Sequence, residues 1–274
     1  MSQDRPELAG AAPRRHLSLA MRCFVVASLA FIALGAAQLA DRLDPLDRAI
    51  DGLVHDGLRH DVGYEATCQS SFNANHTLER PATYCQYSRS TNTAHGSFSC
   101  PAQTPRNGTW TQTCFVEESR LPWAGVPSDL GASGAALTLT IATFLLLAMR
   151  RAWPSALVVL GVAVIGAYLV APLKAFFPGS FPSGHTVGGT LGWGLFLVFA
   201  ARSWRPGPWT GMAPRVALVA WAFIAFAVGF DRVHIGAHPA SDVLAGWAFG
   251  AALVFLAVLI DDTLRERTAR NPAP

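Results

Sequence analysis

Six stretches of the chain, their ends approximate by a few residues, run without charge apart from Arg215 at the edge of the fifth: 23–40, 130–149, 152–173, 186–201, 214–230 and 243–260. Each is roughly 16 to 22 residues long, about what an α-helix needs to cross a hydrocarbon core. A helix satisfies its own backbone donors and acceptors in lipid, so the pattern predicts six membrane helices. Between the first two lies a polar interval, 41–129, too long to be a simple connection. It opens on a different rhythm. Leu43, Leu46, Ile50, Leu53, Val54, Leu58 and Val62 recur at spacings of three and four, with Asp41, Asp44, Asp47, Arg48, Asp51 and Asp56 on the other faces. That predicts an amphipathic helix, lying on the outer membrane surface or packed against the rest of the loop. The expected fold class is therefore an all-α membrane protein with six transmembrane helices. Its divisions are a tail at 1–22, helix 1 at 23–40, a loop domain at 41–129, a five-helix core at 130–260 and a tail at 261–274. A basic start, an apolar run and the small residues Gly35, Ala36 and Ala37 also fit a signal peptide. Leu39 and Ala40 extend that run and Gln38 interrupts the cleavage pattern, so a retained anchor is expected.

Composition agrees with this pattern. Hydrophobic residues make up 51% of the chain and charged residues 14%, against about 25% charged in soluble domains, which excludes a disordered protein. The net charge is only +3, without a lysine-rich block or zinc-knuckle spacing, so no nucleic-acid partner is expected. The arginines set the orientation, because basic residues are retained on the cytoplasmic side. Arg5, Arg14, Arg15, Arg22, Arg150, Arg151, Arg202, Arg205, Arg215, Arg265, Arg267 and Arg270 all fall on one face. Both termini are then cytoplasmic, and the interval 41–129 is extracytoplasmic. It holds Cys68, Cys85, Cys100 and Cys114, whose compartment favours two disulfides and whose spacing is not that of a zinc site. Three connectivities remain open. Cys23, in the first helix, reads as a small apolar residue.

Candidate chemistry gathers on three segments at the outer face. Lys174, the one lysine beside 20 arginines, follows the third apolar stretch. Pro182-Ser183-Gly184-His185 opens the fourth helix. Asp231-Arg232-Val233-His234 and His238-Pro239-Ala240-Ser241-Asp242 lie between the last two. Ser183 and Gly184 precede a helix whose first N–H groups attract an anion, and glycine admits close approach. Lys174 and Arg232 supply a compact charge and a planar fork suited to phosphoryl oxygens. Pro239 is placed to begin the last helix with His238 as its cap, and Asp242, one turn on, can orient the His238 imidazole. His185 is left as proton donor. Asp231 either pairs with Arg232 or faces water, and His234 reads as a pocket-wall residue.

These motifs resemble the type-2 phosphatidic acid phosphatase superfamily, membrane lipid-phosphate phosphatases that share an active site with vanadium haloperoxidases. Its second signature, Pro-Ser-Gly-His, stands here as Pro182-Ser183-Gly184-His185; its third, Ser-Arg, five residues, His, three residues, Asp, is matched by Arg232, His238 and Asp242. The resemblance implies His238 as nucleophile, Asp242 as its partner, His185 as general acid and a phosphohistidine intermediate, with no cofactor or metal. The first signature, Lys, six residues, Arg-Pro, is matched only at Lys174, because Phe181 stands where the arginine would be. Asp231 stands where the family has serine. The expectation is a lipid-phosphate phosphatase of the cell membrane acting at the outer leaflet, its substrate a phosphate monoester or diphosphate. Two rivals are a phosphotransferase of the same superfamily and a non-catalytic lipid- or partner-binding membrane protein. Lipid identity and oligomeric state stay open.

Overall fold

The computed structural model describes residues 12–71, 82–87, 98–99, 108–119, 123–203 and 212–270. Two helices come first, α1 (Ala12–Leu39) and α2 (Asp44–Leu58). Strands β1 (Arg59–Ser71), β2 (Ala82–Tyr87), β3 (Phe98–Ser99) and β4 (Gly108–Ser119) follow. A short α3 (Val126–Asp129) leads into α4 (Ser133–Met149), α5 (Trp153–Phe176), α6 (Gly184–Ser203), α7 (Ala213–His234) and α8 (Ala240–Arg270).

Helices stand at all six apolar stretches. Among the described residues, four are long and apolar enough to cross a membrane: Leu19–Leu39, Trp153–Phe176, Ala213–His234 and Ala240–Arg270. Of the other two, α4 is apolar but has 17 residues. Threonine and glycine dilute α6, which is instead the buried centre of the bundle and packs on α4, α7 and α8. The architecture is that of a multi-pass membrane protein. Several helices outrun their apolar stretches. The last turn of α5 includes Lys174, α7 continues through Asp231, Arg232 and His234, and α8 reaches Arg270.

Small residues let these backbones approach, the usual basis of helix contact in lipid. On α8, a Cβ at Gly246 would lie 2.8 Å from Thr186 Cβ and 3.1 Å from the Ser183 carbonyl oxygen. At Gly131, before α4, a Cβ would fall 2.3 Å from the carbonyl oxygen of His185. Both seams close on the start of α6. At the far end of the bundle the fully buried Asp261 of α8 accepts the Ser155 hydroxyl (2.5 Å), Arg265 Nε (2.9 Å) and Arg202 Nη2 (3.2 Å). Three helices are held there by one carboxylate.

The interval 41–129 departs from the all-α expectation. Its four strands form an antiparallel sheet in the order β2-β1-β4-β3. Threonine alternates along Gly108–Ser119, and β1 carries Val62, Tyr64 and Thr67, residues that fit a pleated surface better than a helix. The amphipathic helix therefore stops at Leu58, and Val62 belongs to β1. Cys68 is directly opposite Cys85, and Cys114 is opposite Tyr64. Cys100 lies outside the described residues. In α2 the apolar stripe divides. Val54 is buried with Val233, Ala240 and Val243, beside Ile50 and Trp247, whereas Leu46 and Leu53 remain exposed.

Close approach at the start of α6 makes a sharp prediction about glycines. Gly246→Ala should destabilise the detergent-solubilised protein by ~1–3 kcal/mol, the ordinary cost of overpacking. Gly161→Ala, on α5 with nothing within 4 Å of the added carbon, should instead be neutral or stabilising by up to ~1 kcal/mol. Thermal unfolding of both variants checks this; equal effects would show that the seam is loose.

Candidate active site

Four helix ends converge. Lys174 sits in the last turn of α5, His185 in the first turn of α6, Arg232 in the last turn of α7, and Asp242 in the first turn of α8. His238 lies in the turn joining α7 to α8, whose backbone folds back so that the His238 and Ala237 N–H groups both bond to the Arg232 carbonyl (3.2 and 3.0 Å).

The start of α6 is built for an anion. Ser183, completely buried, caps the helix: its Oγ accepts the Thr186 N–H at 3.4 Å and the Thr186 hydroxyl at 3.0 Å. The first intrahelical bond runs from Val187 N–H to the Ser183 carbonyl (3.0 Å), so the N–H groups of Gly184 and His185 precede it. Lys174 Nζ would be 3.8 Å from a Cβ on Gly184. An unsubstituted Gly184 therefore keeps the ammonium and the helix terminus on one small space. Arg232 brings a second cation, and its Nε is buried with no hydrogen-bond partner among the described residues.

His238 and Asp242 form the expected pair, with Nδ1 2.9 Å from Oδ2. Both side chains are nearly buried, at 8% and 2% exposure, where such a contact resists solvent screening. Ser180 completes a three-atom cluster: its hydroxyl donates to Asp242 Oδ2 and lies 3.1 Å from His238 Nδ1. Sequence reasoning missed Ser180. In the sequence it is one polar residue in a Pro-Gly-Ser turn, and only the fold turns it toward Asp242. The Asp242 backbone carbonyl also accepts the Ser183 N–H (3.0 Å), tying the anion site directly to the His-Asp pair.

His185 faces both groups. Burial lowers its pKa from the usual 6.5, and the charges of Arg232, His238 and Lys174 lower it further, opposed by Asp129. Those influences place His185 within electrostatic range of Lys174, Arg232 and His238.

Other expectations need correction. Helix α8 begins at Ala240, one residue after Pro239, so His238 is not its cap. Asp231 does not face water, and its negative charge supports the cation of Arg232. It is fully buried, and its oxygens accept the Gly125 N–H (2.9 Å), the Ser128 N–H (3.0 Å) and the Ser128 hydroxyl (2.5 Å) at the start of α3. A carboxylate can hold three donors where serine could not, which accounts for aspartate at this position. His234 is also fully buried, its ring stacked on Phe230 at 5.9 Å and 6°. Phe181, at the position of the absent arginine, is fully buried between Phe177 (4.8 Å) and Phe31 (6.2 Å). That position is spent on anchoring the loop to α1.

From His185 and Gly184 a cavity of about 490 Å³ descends between α4, α5 and α6, lined further down by Val170, Val164, Leu160 and Leu137. Gly184 and His185 are thus shared between the site and a largely apolar cavity.

Comparison with known proteins gives a consistent picture. Residues 170–266 match the family model of the PAP2 superfamily. Phosphatidylglycerophosphatase B of Bacillus subtilis (strain 168) is 30% identical over 96 residues, 35% of this chain and 46% of that protein. Lipid A 1-phosphatase of Rhizobium johnstonii (strain DSM 114642 / LMG 32736 / 3841) is 41% identical over 83 residues, 30% of this chain and 28% of that protein. The chain thus spans about half or less of the curated relatives it matches. The crystal structure of a transmembrane PAP2-type phosphatidylglycerolphosphate phosphatase from Bacillus subtilis shares the fold with a TM-score of 0.58 at 19% identity, covering 90% of this chain and 98% of that one. By motif and sequence match, residues 170–266 of this chain are similar to the PAP2 superfamily, and the chain shares the fold of that solved PAP2-type protein.

Proposed function

We propose that this protein is an integral membrane phosphatase that hydrolyses a phosphate monoester or diphosphate of a lipid at the outer leaflet. The observation that carries the reading is the 2.9 Å contact of His238 Nδ1 with Asp242, set against Lys174, Arg232 and the start of α6. With Nδ1 carrying its hydrogen to Asp242, Nε2 holds the lone pair and is the nucleophile. In the first step Nε2 bonds to phosphorus and the bond from phosphorus to the lipid oxygen breaks. The leaving oxygen takes the electron pair and receives the proton of His185. Asp242 stabilises the His238 imidazolium, as in a Ser-His-Asp triad. In the second step neutral His185 takes a proton from water as its oxygen bonds to phosphorus. The phosphorus–nitrogen bond then breaks and returns its pair to His238. Lys174, Arg232 and the N–H groups of Gly184 and His185 hold the equatorial oxygens, where charge accumulates.

A lipid substrate is supported by the cavity beneath His185, which is apolar along α4 and α5 and suits a hydrocarbon chain. The names of the relatives point to phosphatidylglycerol phosphate and a lipid A phosphate as first substrates. Undecaprenyl diphosphate and phosphatidic acid share the same chemistry. Orientation follows the arginines: the Arg202–Asp261–Arg265 cluster occupies the cytoplasmic end, leaving the site outside with both termini inside. There the strand register favours a Cys68–Cys85 disulfide, which leaves Cys100 to join Cys114.

Three outcomes test this reading. His185→Ala should reduce phosphate release from the best of these four lipids by roughly 10²–10⁴-fold, the usual contribution of a general acid, and His238→Ala should abolish it. Activity retained in both would refute the mechanism; release of inorganic phosphate without an acceptor separates hydrolysis from transfer. The second outcome concerns pH. His185 acts protonated, and its pKa is lowered in the free enzyme, so kcat/KM should fall with rising pH about a midpoint below 6.5. Asp129→Asn removes the opposing charge and should move that limb lower still, a shift that substrate ionisation cannot imitate. Third, peptide mapping without reduction should recover Cys68 linked to Cys85; Cys68 linked to Cys114 would overturn the connectivity.

A further inference from the structure

Helix α8 carries the partner of the nucleophile in its first turn, yet its own sequence provides no cap. Pro239, just before it, has no side-chain acceptor, and the Asp242 carboxylate is taken by His238 and Ser180. The acceptor comes from α2, 194 residues away. Asp47 Oδ1 accepts the Ser241 N–H at 2.8 Å, and Asp47 Oδ2 accepts the Ser241 hydroxyl at 2.7 Å. Ser241 is fully buried between them. An unsatisfied N–H and a buried hydroxyl are thus answered by one carboxylate, whose charge also suits the positive end of a helix.

The contact does not stand alone. Seven residues on from Asp47, on the same face of α2, Val54 is buried against Val233, Ala240 and Val243. Val233 follows Arg232, and Ala240 and Val243 bracket Ser241 and Asp242. Helix α2 therefore grips both the arginine element and the start of α8. None of it lies within residues 170–266, which match the superfamily.

We propose that Asp47 is a positioning residue for the nucleophile, acting through Ser241 to fix the first turn of α8 and so the geometry between Asp242 and His238. Two hydrogen bonds on one residue fix both its backbone and its rotamer. Asp242, the next residue, then presents its carboxylate to Nδ1 and its carbonyl to Ser183 in a single orientation. Asp47 touches no reacting atom. Its effect on rate is the effect of misplacing a group by a fraction of an ångström, which can reach about 10²-fold.

The inference rests on the phosphatase reading, and its test separates the two. Asp47→Ala and Asp47→Asn are compared in the full chain in detergent, with lipid-phosphate hydrolysis and hydrogen exchange of the peptide beginning at Pro239 as readouts. Asparagine keeps an acceptor for the Ser241 N–H, as a good cap residue does. Expected for Asp47→Ala are faster exchange at the start of α8 and a kcat lowered about 10-fold with KM within about 2-fold. Asp47→Asn should restore most of both. An unchanged kcat in Asp47→Ala, unchanged exchange, or equal loss in the two variants would overturn the proposal. Absence of hydrolysis by the wild-type protein on every lipid would instead defeat the phosphatase reading, while the exchange comparison still decides whether Asp47 caps α8.

Discussion

Asp242 is the residue through which the two halves of the site hold each other. Its carbonyl accepts the N–H of Ser183, at the threshold of α6, and its carboxylate takes His238 and Ser180. Phosphate would be gripped from α5, α6 and α7, whereas attack on it would come from the turn before α8. Without that shared residue, the anion site and the imidazole would ride on separate helices. The glycine and threonine seam between α6 and α8 serves the same end at the level of whole helices, since Gly246 brings the two backbones together just below the contact.

What the sequence revealed is what local spacing can encode. Lys174, His185, Arg232, His238 and Asp242 were legible because each stands in or beside a motif at the edge of an apolar stretch, and charge at a membrane boundary is conspicuous. Ser180, Asp47 and Asp231 were not. Their roles depend on partners 62, 194 and 103 to 106 residues away, and no periodicity announces a hydrogen bond across such distances. Helix ends were underestimated for a related reason. Counting uncharged residues stops at the first charge, yet α7 carries Asp231 and Arg232 within its helix because α3 and the site compensate them. The sheet was hidden behind an apparent helical stripe, in which Val62 kept the spacing by coincidence while β-favouring residues were already accumulating.

The two ends of the bundle handle charge in opposite ways. At the far end Asp261 and Asp262 face Arg202 and Arg265, two carboxylates against two guanidinium groups, so the cluster is balanced in charge. At the site Lys174 and Arg232 have no such carboxylate between them: Asp231 is turned to α3 and Asp242 to His238. Positive charge is left only partly balanced, by Asp231 on Arg232, where an anion is wanted, and the burden of desolvation falls on Arg232 and in part on His185.

Phe181 gives this arrangement a kinetic meaning. A third fixed cation at that position would hold the substrate phosphate more tightly, but it would hold inorganic phosphate just as well. With an aromatic anchor there instead, the proposed enzyme binds its product with fewer charges. Departure of inorganic phosphate from such a site would then be opposed by fewer fixed charges.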